Sequence, residues 1–265
     1  SGIYASVTPT VELRNNIIIN NSIPVGTSYS VAYRRSAAGT VPASTYSLNS
    51  NKNCFFVSSG TNQGIYIEGT STYTNYNETF DSYKTFMATR DQGSFNEDAP
   101  FIEKNTAPYD LHLDPSTATQ CESGGIPVSG ITTDFDGNTR DASTPDVGAD
   151  EGTFTPQDLS APNIIYTALP NTITTTGVTL TATISDASGV PQAGPGLPNL
   201  YWTTVAANSY QAVEGVWVSG NTYTFNFATG VTAGDVIKYY VVAQDNAANV
   251  GAFPSAGADL FISVP

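Results

Sequence analysis

Apolar and polar residues alternate in short runs along the second part of the chain. From Val178 to Ile184 apolar residues occupy every second position and threonines the positions between, and the segment from Ile237 to Ala243 repeats this alternation. Such alternation is typical of a strand with one buried face. Seven strand-like runs separated by turn residues are predicted at 163–169, 178–185, 199–205, 210–218, 222–227, 236–244 and 259–264. Seven strands within about 110 residues indicate an antiparallel sandwich.

The first part has a different pattern, in which a short apolar run lies between asparagines in Val11–Ser22. Asparagine tolerates the left-handed backbone conformation of a tight corner, which a β-branched residue does not. The pattern favours coils of a parallel β-helix, with corners predicted at Asn15, Asn16, Asn20 and Asn21. The segments 36–44 and 92–103 read as loops inserted between coils.

A change of composition separates the two parts. The stretch 152–162 is polar and contains two prolines, and Lys238 is the one basic residue that follows it. Proline cannot donate to a sheet, so this stretch favours an extended linker. We therefore predict an all-β chain of two domains, 1–157 and 158–265.

Three segments near the end of the first domain, Tyr109–Ser116, Asp134–Arg140 and Pro145–Glu151, resemble the closing coils of secreted bacterial right-handed parallel β-helix proteins of pectate-lyase-like fold. The resemblance extends over about residues 8–152. In the second domain, Val178–Val190 and Tyr239–Gly251 resemble immunoglobulin-like modules of secreted bacterial proteins. Together these resemblances imply the end of a right-handed parallel β-helix followed by an immunoglobulin-like β-sandwich. The opening reads as the middle of such a helix, so we expect further coils upstream.

Charge narrows the choice of partners. The chain has 9 Lys and Arg against 23 Asp and Glu, a net charge of −14, which disfavours nucleic-acid phosphates and anionic lipid surfaces. It has no apolar run long enough to span a bilayer. Only 12% of the residues are charged, and Thr, Ser, Asn, Gly, Tyr and Val dominate. This composition predicts a secreted or cell-surface β protein that binds neither nucleic acid nor the membrane interior.

Aspartates at turns form two candidate calcium sets, since carboxylate oxygens are the ligands that Ca²⁺ prefers. The first set is Asp134, Asp136 and Asp146, and the second is Asp158, Asp186 and Asp245. The second set recurs near strand ends and is expected to converge at one pole, as a site between modules. The alternative for both sets is the capping of turns, with Arg140 pairing Asp134 or Asp146 in the first. No motif requires a cofactor, and Ca²⁺ is the candidate ion.

Tyrosines concentrate between residues 66 and 83. Tyr66, Tyr73, Tyr76 and Tyr83 are candidates for a platform on which sugar rings stack, with core packing as the alternative.

The two cysteines, Cys54 and Cys121, are candidates for a disulfide, because bridges persist in oxidising compartments. Two buried thiols are the alternative.

Catalytic groupings are sparse. No pair or cluster of aspartates of the kind that hydrolytic β-helix enzymes use precedes residue 134, and His112, the single histidine, lies beside Asp110 and Asp114 in a structural setting. We therefore predict a non-catalytic binding or adhesion region that contacts extracellular polysaccharide or another surface. The alternatives are the end of a polysaccharide lyase or hydrolase with its catalytic coils upstream, and a purely structural cap or spacer.

Overall fold

The computed structural model describes residues 2–36, 44–69, 80–207, 209–254 and 260–263, the last of these by backbone alone. It is nearly all β, with 3% of the residues helical. The chain divides into two compact units, residues 1–157 and 158–265, called here the solenoid unit and the two-sheet unit. Each unit is described by itself.

The solenoid unit contains nine strands and one helix among its described residues. They are β1 Ile3–Ala5, β2 Ile17–Asn20, β3 Ser30–Arg35, β4 Cys54–Val57, β5 Gln63–Glu68, α1 Phe80–Met87, β6 Phe101–Glu103, β7 Asp110–Leu113, β8 Ala118–Thr119 and β9 Thr155–Pro156. Strands β1, β3 and β5 form one parallel sheet, β2 pairs in parallel with β4, and β8 with β9. The result is a β-solenoid of about four turns, which agrees with the predicted parallel β-helix. The helix α1 was not predicted.

Of the four asparagines predicted at corners of the coils, one has the left-handed backbone conformation. Asn15 has φ of 55°, and Lys52 takes nearly the same conformation, φ of 58°, in the next coil. Asn16, Asn20 and Asn21 do not adopt positive φ. Asn16 instead joins a side-chain ladder, in which its Nδ2 donates to Oδ1 of Asn53 at 3.0 Å. The ladder holds neighbouring coils in register through amide groups that would otherwise lack partners.

Aromatic rings fill the interior of the solenoid unit. Tyr33 packs with its ring centroid 5.1 Å from that of Tyr46 and 5.4 Å from that of Tyr66, and Tyr83 packs against Phe55 at 5.5 Å. All five rings are buried. Because tyrosine hydroxyls need partners when they are buried, this core also contains polar acceptors.

Two residues near the end of the solenoid unit, Ile126 and Gly148, are hydrogen-bonded to Asn15 near its beginning. Gly148 N donates to Asn15 O at 2.8 Å, and the Asn15 side chain binds both backbone groups of Ile126, as donor at 2.6 Å and as acceptor at 3.0 Å. The segment 92–103, predicted as an inserted loop, belongs in part to the coils, since Phe95 forms a parallel bridge with Cys54. Of the other predicted loop, only the ends, Ser36 and Ser44, lie within the described residues.

The described residues of the two-sheet unit form nine strands: β10 Asn163–Ile165, β11 Thr176–Ser185, β12 Asn199–Thr204, β13 Gln211–Glu214, β14 Val216–Ser219, β15 Thr222–Thr229, β16 Val236–Gln244, β17 Val250–Phe253 and β18 Leu260–Ser263. One sheet has the order β10-β11-β15-β14, and the other β13-β12-β16-β17, with β18 also pairing β16. All pairs are antiparallel. Residues from both sheets share one core, in which Leu180, Phe225 and Tyr239 are buried.

Gly215 divides one predicted strand into two. The run 210–218 was predicted as continuous, whereas β13 pairs with β12 in one sheet and β14 with β15 in the other. A Cβ at Gly215 would lie 2.7 Å from the Phe225 ring, so the glycine is required where the chain passes closely over the core. Strand β17 was also missed, because its sequence, Val-Gly-Ala-Phe, has little alternation.

Candidate binding groove and metal centre

Exposed apolar side chains line a groove of about 800 Å³ on the solenoid unit. We call it the Tyr109–Phe135 groove, and its lining includes Ile102, Tyr109, Leu111, His112, Phe135 and Asp136. Tyr109 is 65% exposed and Phe135 is 85% exposed. Two large rings held open to solvent around one depression are a feature of binding surfaces, since folded chains rarely leave such groups unburied together.

His112 forms the polar centre of the groove. Its Nδ1 lies 2.5 Å from Oδ1 of Asp110, and its Nε2 lies 2.9 Å from Oδ2 of Asp136. These hydrogen bonds, the one with Asp110 foremost, raise the pKa of His112 to about 9. The imidazole is therefore protonated at neutral pH and bridges two carboxylates. His112, Asp136 and Asp150 lie close together, and both ring nitrogens of His112 are already paired with carboxylates, those of Asp110 and Asp136.

Each of the two carboxylates bound to His112 keeps one oxygen available. Oδ2 of Asp110 and Oδ1 of Asp136 accept no hydrogen bond from any described residue. Exposed carboxylate oxygens beside exposed rings can accept hydrogen bonds from the hydroxyls of a ligand that stacks on those rings.

The first predicted calcium set does not converge. Asp134 accepts hydrogen bonds from the backbone N–H of Asp136, Asn138 and Glu151, and Asp146 accepts them from Ser123 and Gly152. Neither belongs to a group of three candidate ligand side chains within the described part of the chain. Burial raises the pKa of Asp146 to about 6.

The alternative predicted for this set, the capping of turns, accounts for these contacts. The ion pair of Arg140 is with Glu151, at 3.2 Å, rather than with Asp134 or Asp146, although the same guanidinium donates to the backbone carbonyl of Asp146.

The two described tyrosines of the predicted platform, Tyr66 and Tyr83, do not form a surface for sugar rings. Tyr66 is 1% exposed and Tyr83 is fully buried, so neither ring face is open to a sugar. Burial raises the pKa of both hydroxyls. These rings pack in the core of the solenoid, and Tyr73 and Tyr76 lie outside the described residues. Tyr109 and Phe135 are among the exposed rings of this unit, and no periodic pattern in the sequence distinguished them from the surrounding turns.

Cys54 and Cys121 are both buried free cysteines, not the predicted disulfide. Cys54 Sγ donates to the carbonyl of Glu97 at 3.2 Å. A hydrogen bond with the neighbouring Cys121 thiol, together with burial, raises the pKa of the Cys54 thiol. The structure therefore has the second alternative, two buried thiols packed in the core.

The second predicted calcium set does converge, within the two-sheet unit. Asp158 precedes β10, Asp186 follows β11 directly, and Asp245 follows β16 directly. One carboxylate oxygen of each lies within 4.8 Å of those of the other two. The recurrence of aspartate at strand ends was the signal that found this group.

No protein-family model and no curated protein matches the chain. Among solved structures, an endo-β-1,4-mannanase from Thermotoga petrophila is similar over 52% of this chain at 12% identity, with a TM-score of 0.26. The chain covers 30% of the length of that protein. In the part of the chain that the structure describes, no helix is long and apolar enough to cross a membrane.

Proposed function

We propose that this chain is a non-catalytic glycan-binding region of an extracellular protein, and that the Tyr109–Phe135 groove is its binding site. In this proposal the solenoid is the end of a right-handed β-helix of pectate-lyase-like fold, and the two-sheet unit is an immunoglobulin-like sandwich that serves as a spacer. The observation that carries the proposal is the pair of exposed rings that line the same groove as the unpaired carboxylate oxygens of the two aspartates bound to His112.

The chemistry of the groove favours a neutral polysaccharide. The apolar faces of sugar rings stack on aromatic side chains, and sugar hydroxyls donate to carboxylate oxygens. Glu103, Asp110, Asp136 and Asp150 all line the groove, and His112 is its one cationic side chain. These charges repel the carboxylates of a polyuronate, as does the net charge of −14.

Affinity electrophoresis of the full chain tests this proposal, with gels containing a neutral polysaccharide (xylan, glucomannan or a β-glucan) or a polygalacturonate. We expect retardation by at least one neutral polysaccharide and none by the polyuronate. The variants Tyr109→Ala and Phe135→Ala should each weaken binding by about tenfold, the upper range of one aromatic stacking contact. Tyr4→Ala is the matched control, since Tyr4 is 62% exposed on the same unit but does not line the groove.

Three results would contradict the proposal. Failure to bind any neutral polysaccharide removes its basis, and unchanged retardation of both ring variants places binding elsewhere. Release of new reducing or unsaturated ends would show that the chain is an enzyme rather than a binding region.

A further inference from the structure

Two aromatic–aspartate pairs face the Tyr109–Phe135 groove. Tyr109 immediately precedes Asp110 in the sequence, and Phe135 immediately precedes Asp136. All four residues line the groove, and the ring of His112 lies between the two carboxylates, hydrogen-bonded to both. Each pair therefore offers the groove one exposed ring and one carboxylate.

The carboxylates of Asp110 and Asp136 are oriented by His112. Oδ1 of Asp110 accepts the backbone N–H of His112 at 3.1 Å and lies 2.5 Å from its Nδ1, while Oδ2 of Asp136 lies 2.9 Å from its Nε2. The other oxygen of each carboxylate accepts no hydrogen bond from a described residue, and both side chains are 41% exposed. Because one oxygen of each is fixed, the second has a defined position from which it can accept a hydrogen bond from a ligand.

The lining of the groove has an excess of negative charge. Glu103, Asp110, Asp136 and Asp150 are its acids and His112 is its one cation, so four negative charges stand against one positive charge. Among the described residues, the ion pairs at the groove are those of His112 with Asp110 and Asp136, and Glu103 and Asp150 take part in none. A depression lined by one sign of charge concentrates ligands of the opposite sign, so this groove attracts cations.

The exposed rings narrow the kind of cation. Tyr109 is 65% exposed and Phe135 is 85% exposed, so a ligand can reach both rings. An aromatic face attracts a cation within about 6 Å of its centroid, and it also packs against the apolar face of a sugar ring. A simple inorganic cation uses only the first of these contacts, whereas a sugar that carries a positive charge uses both.

We propose that the Tyr109–Phe135 groove selects glycans whose sugar residues carry free amino groups. This inference rests on the proposed function and names the ligand class of the same site: the rings hold the sugar, and Asp110 and Asp136 pair with its ammonium groups. An ammonium group donates three hydrogen bonds and accepts none, which matches carboxylate oxygens that can only accept. A lysine-rich peptide is attracted by the same charges, but its side chains have no ring face to pack on Tyr109 and Phe135.

Titration calorimetry of the full chain tests this inference with three β-1,4-linked hexasaccharides, those of glucose, glucosamine and N-acetylglucosamine. The three share length and linkage and differ in one substituent of each ring. At about pH 5.5 the amine is protonated and the aspartates are ionised, since amino groups titrate above this pH and carboxyl groups below it. The glucosamine hexamer should bind at least about fivefold more tightly than either neutral hexamer, the upper range of one exposed ion pair. The preference should shrink in 1 M NaCl, where the screening length falls to about 3 Å.

The variants Asp110→Asn and Asp136→Asn should each lower the ratio of the affinities for the glucosamine and glucose hexamers toward one. The ratio is the readout because both side chains also face the hydroxyls of a neutral sugar. Asp141→Asn is the matched control, since Asp141 is an exposed turn aspartate of the same unit that accepts hydrogen bonds from Ser143 and Thr144 and does not line the groove. It changes the net charge of the chain equally, and its ratio should equal that of the unmodified chain.

Selection of amino sugars is overturned if the glucosamine hexamer does not bind, or binds no more tightly than the glucose hexamer. It is also overturned if both Asp110→Asn and Asp136→Asn retain the full ratio, or if hexalysine binds as tightly as the glucosamine hexamer, because charge alone would then suffice.

These results differ from a failure of the proposed function. Retardation by a neutral polysaccharide, together with equal affinities for the glucose and glucosamine hexamers, would leave the glycan-binding groove in place and overturn only its preference for amino groups. Absence of binding to every neutral polysaccharide and to the glucosamine hexamer would contradict both.

Discussion

Asp91 is the buried acceptor around which the solenoid core is arranged, and Asp91→Asn tests that arrangement. Its side chain is fully buried. Oδ2 accepts the hydroxyls of Tyr46 and Tyr83, both at 2.7 Å, and Oδ1 accepts Asn53 Nδ2 at 3.0 Å and Ser94 Oγ at 2.7 Å. Asp91 has φ of 53°, which asparagine also tolerates. The substitution therefore removes the charge and one acceptor oxygen while preserving size and backbone.

The expected loss of stability follows from the number of donors that lose their acceptor. An asparagine offers one acceptor oxygen, so two of the four donors around Asp91 would face an NH2 group instead. A hydrogen bond to a charged group contributes about 1.5–3 kcal/mol, so the free energy of unfolding should fall by about 3–6 kcal/mol. Since the whole stability of a domain is only about 5–15 kcal/mol, such a loss is large.

Urea unfolding with two probes measures this loss. Far-UV circular dichroism reports both units, while tryptophan fluorescence reports the two-sheet unit alone because the solenoid unit has no tryptophan. The solenoid transition should move to lower urea by about 1.5–3 M for a denaturant slope near 2 kcal/mol/M. The tryptophan-detected midpoint should stay unchanged.

Asp114→Asn is the matched control, since Asp114 is an aspartate of the solenoid unit that accepts hydrogen bonds from Ser116 and Thr117 at an exposed turn. Its effect should stay below about 1 kcal/mol, as is usual for surface substitutions. The reasoning is refuted if Asp91→Asn lowers the free energy of unfolding by no more than this control does. The hydrogen bonds from the four buried donors would then not require the carboxylate.

Three further predictions concern other parts of the chain. Titration of the single histidine, His112, by NMR should give a pKa raised to about 9, and Asp110→Asn should return it toward 6.5; its stabilising charge is fully present below pH 6.5 and is lost as pH rises through about 9. In the two-sheet unit, Phe225→Ala should lower the free energy of unfolding by about 3–5 kcal/mol in the tryptophan-detected transition, with no shift in the solenoid transition. Gly148→Ala should destabilise the solenoid unit by about 1–3 kcal/mol, since φ is 114° and the new Cβ would lie 2.7 Å from an isoleucine methyl. Gly137→Ala, with φ of 90° but nothing within 4 Å, should cost less. A His112 pKa near 6.5 would contradict the first prediction. An unchanged free energy of unfolding for Phe225→Ala would contradict the second, and equal destabilisation by Gly148→Ala and Gly137→Ala would contradict the third.

The two-sheet unit was the more predictable of the two, because its strands alternate in sequence. Alternation identifies Thr176–Ser185 and Val236–Gln244 almost to their ends, since each strand has one face in the core. It cannot show a strand that changes sheet at Gly215, because both pieces keep the same period. Which sheet a residue joins is decided by packing over Phe225, a contact distant in sequence.

The solenoid unit was less predictable, because its core is aromatic and its coils vary in length. The tyrosines around residues 66–83 have the same composition whether their rings face the core or solvent, and the structure buries Tyr66 and Tyr83. Tyr109 and Phe135 lie outside the strands, where a single sequence carries no periodic signal of exposure. The aspartates at strand ends were predictable as a group, because strand ends in one unit tend to meet at one pole.

The double hydrogen bond between the Asn15 side chain and the backbone of Ile126 joins residues 111 positions apart. A ribosome adding about 5–20 residues per second therefore leaves the first coil without this partner for roughly 5–20 s of synthesis. During that interval Asn15 and the backbone beside it are open to other chains, and closing so long a loop makes the final step of folding slow. The solenoid unit should consequently depend more on chaperones or on dilution than the two-sheet unit, and refolding yield at rising protein concentration should fall first for the solenoid.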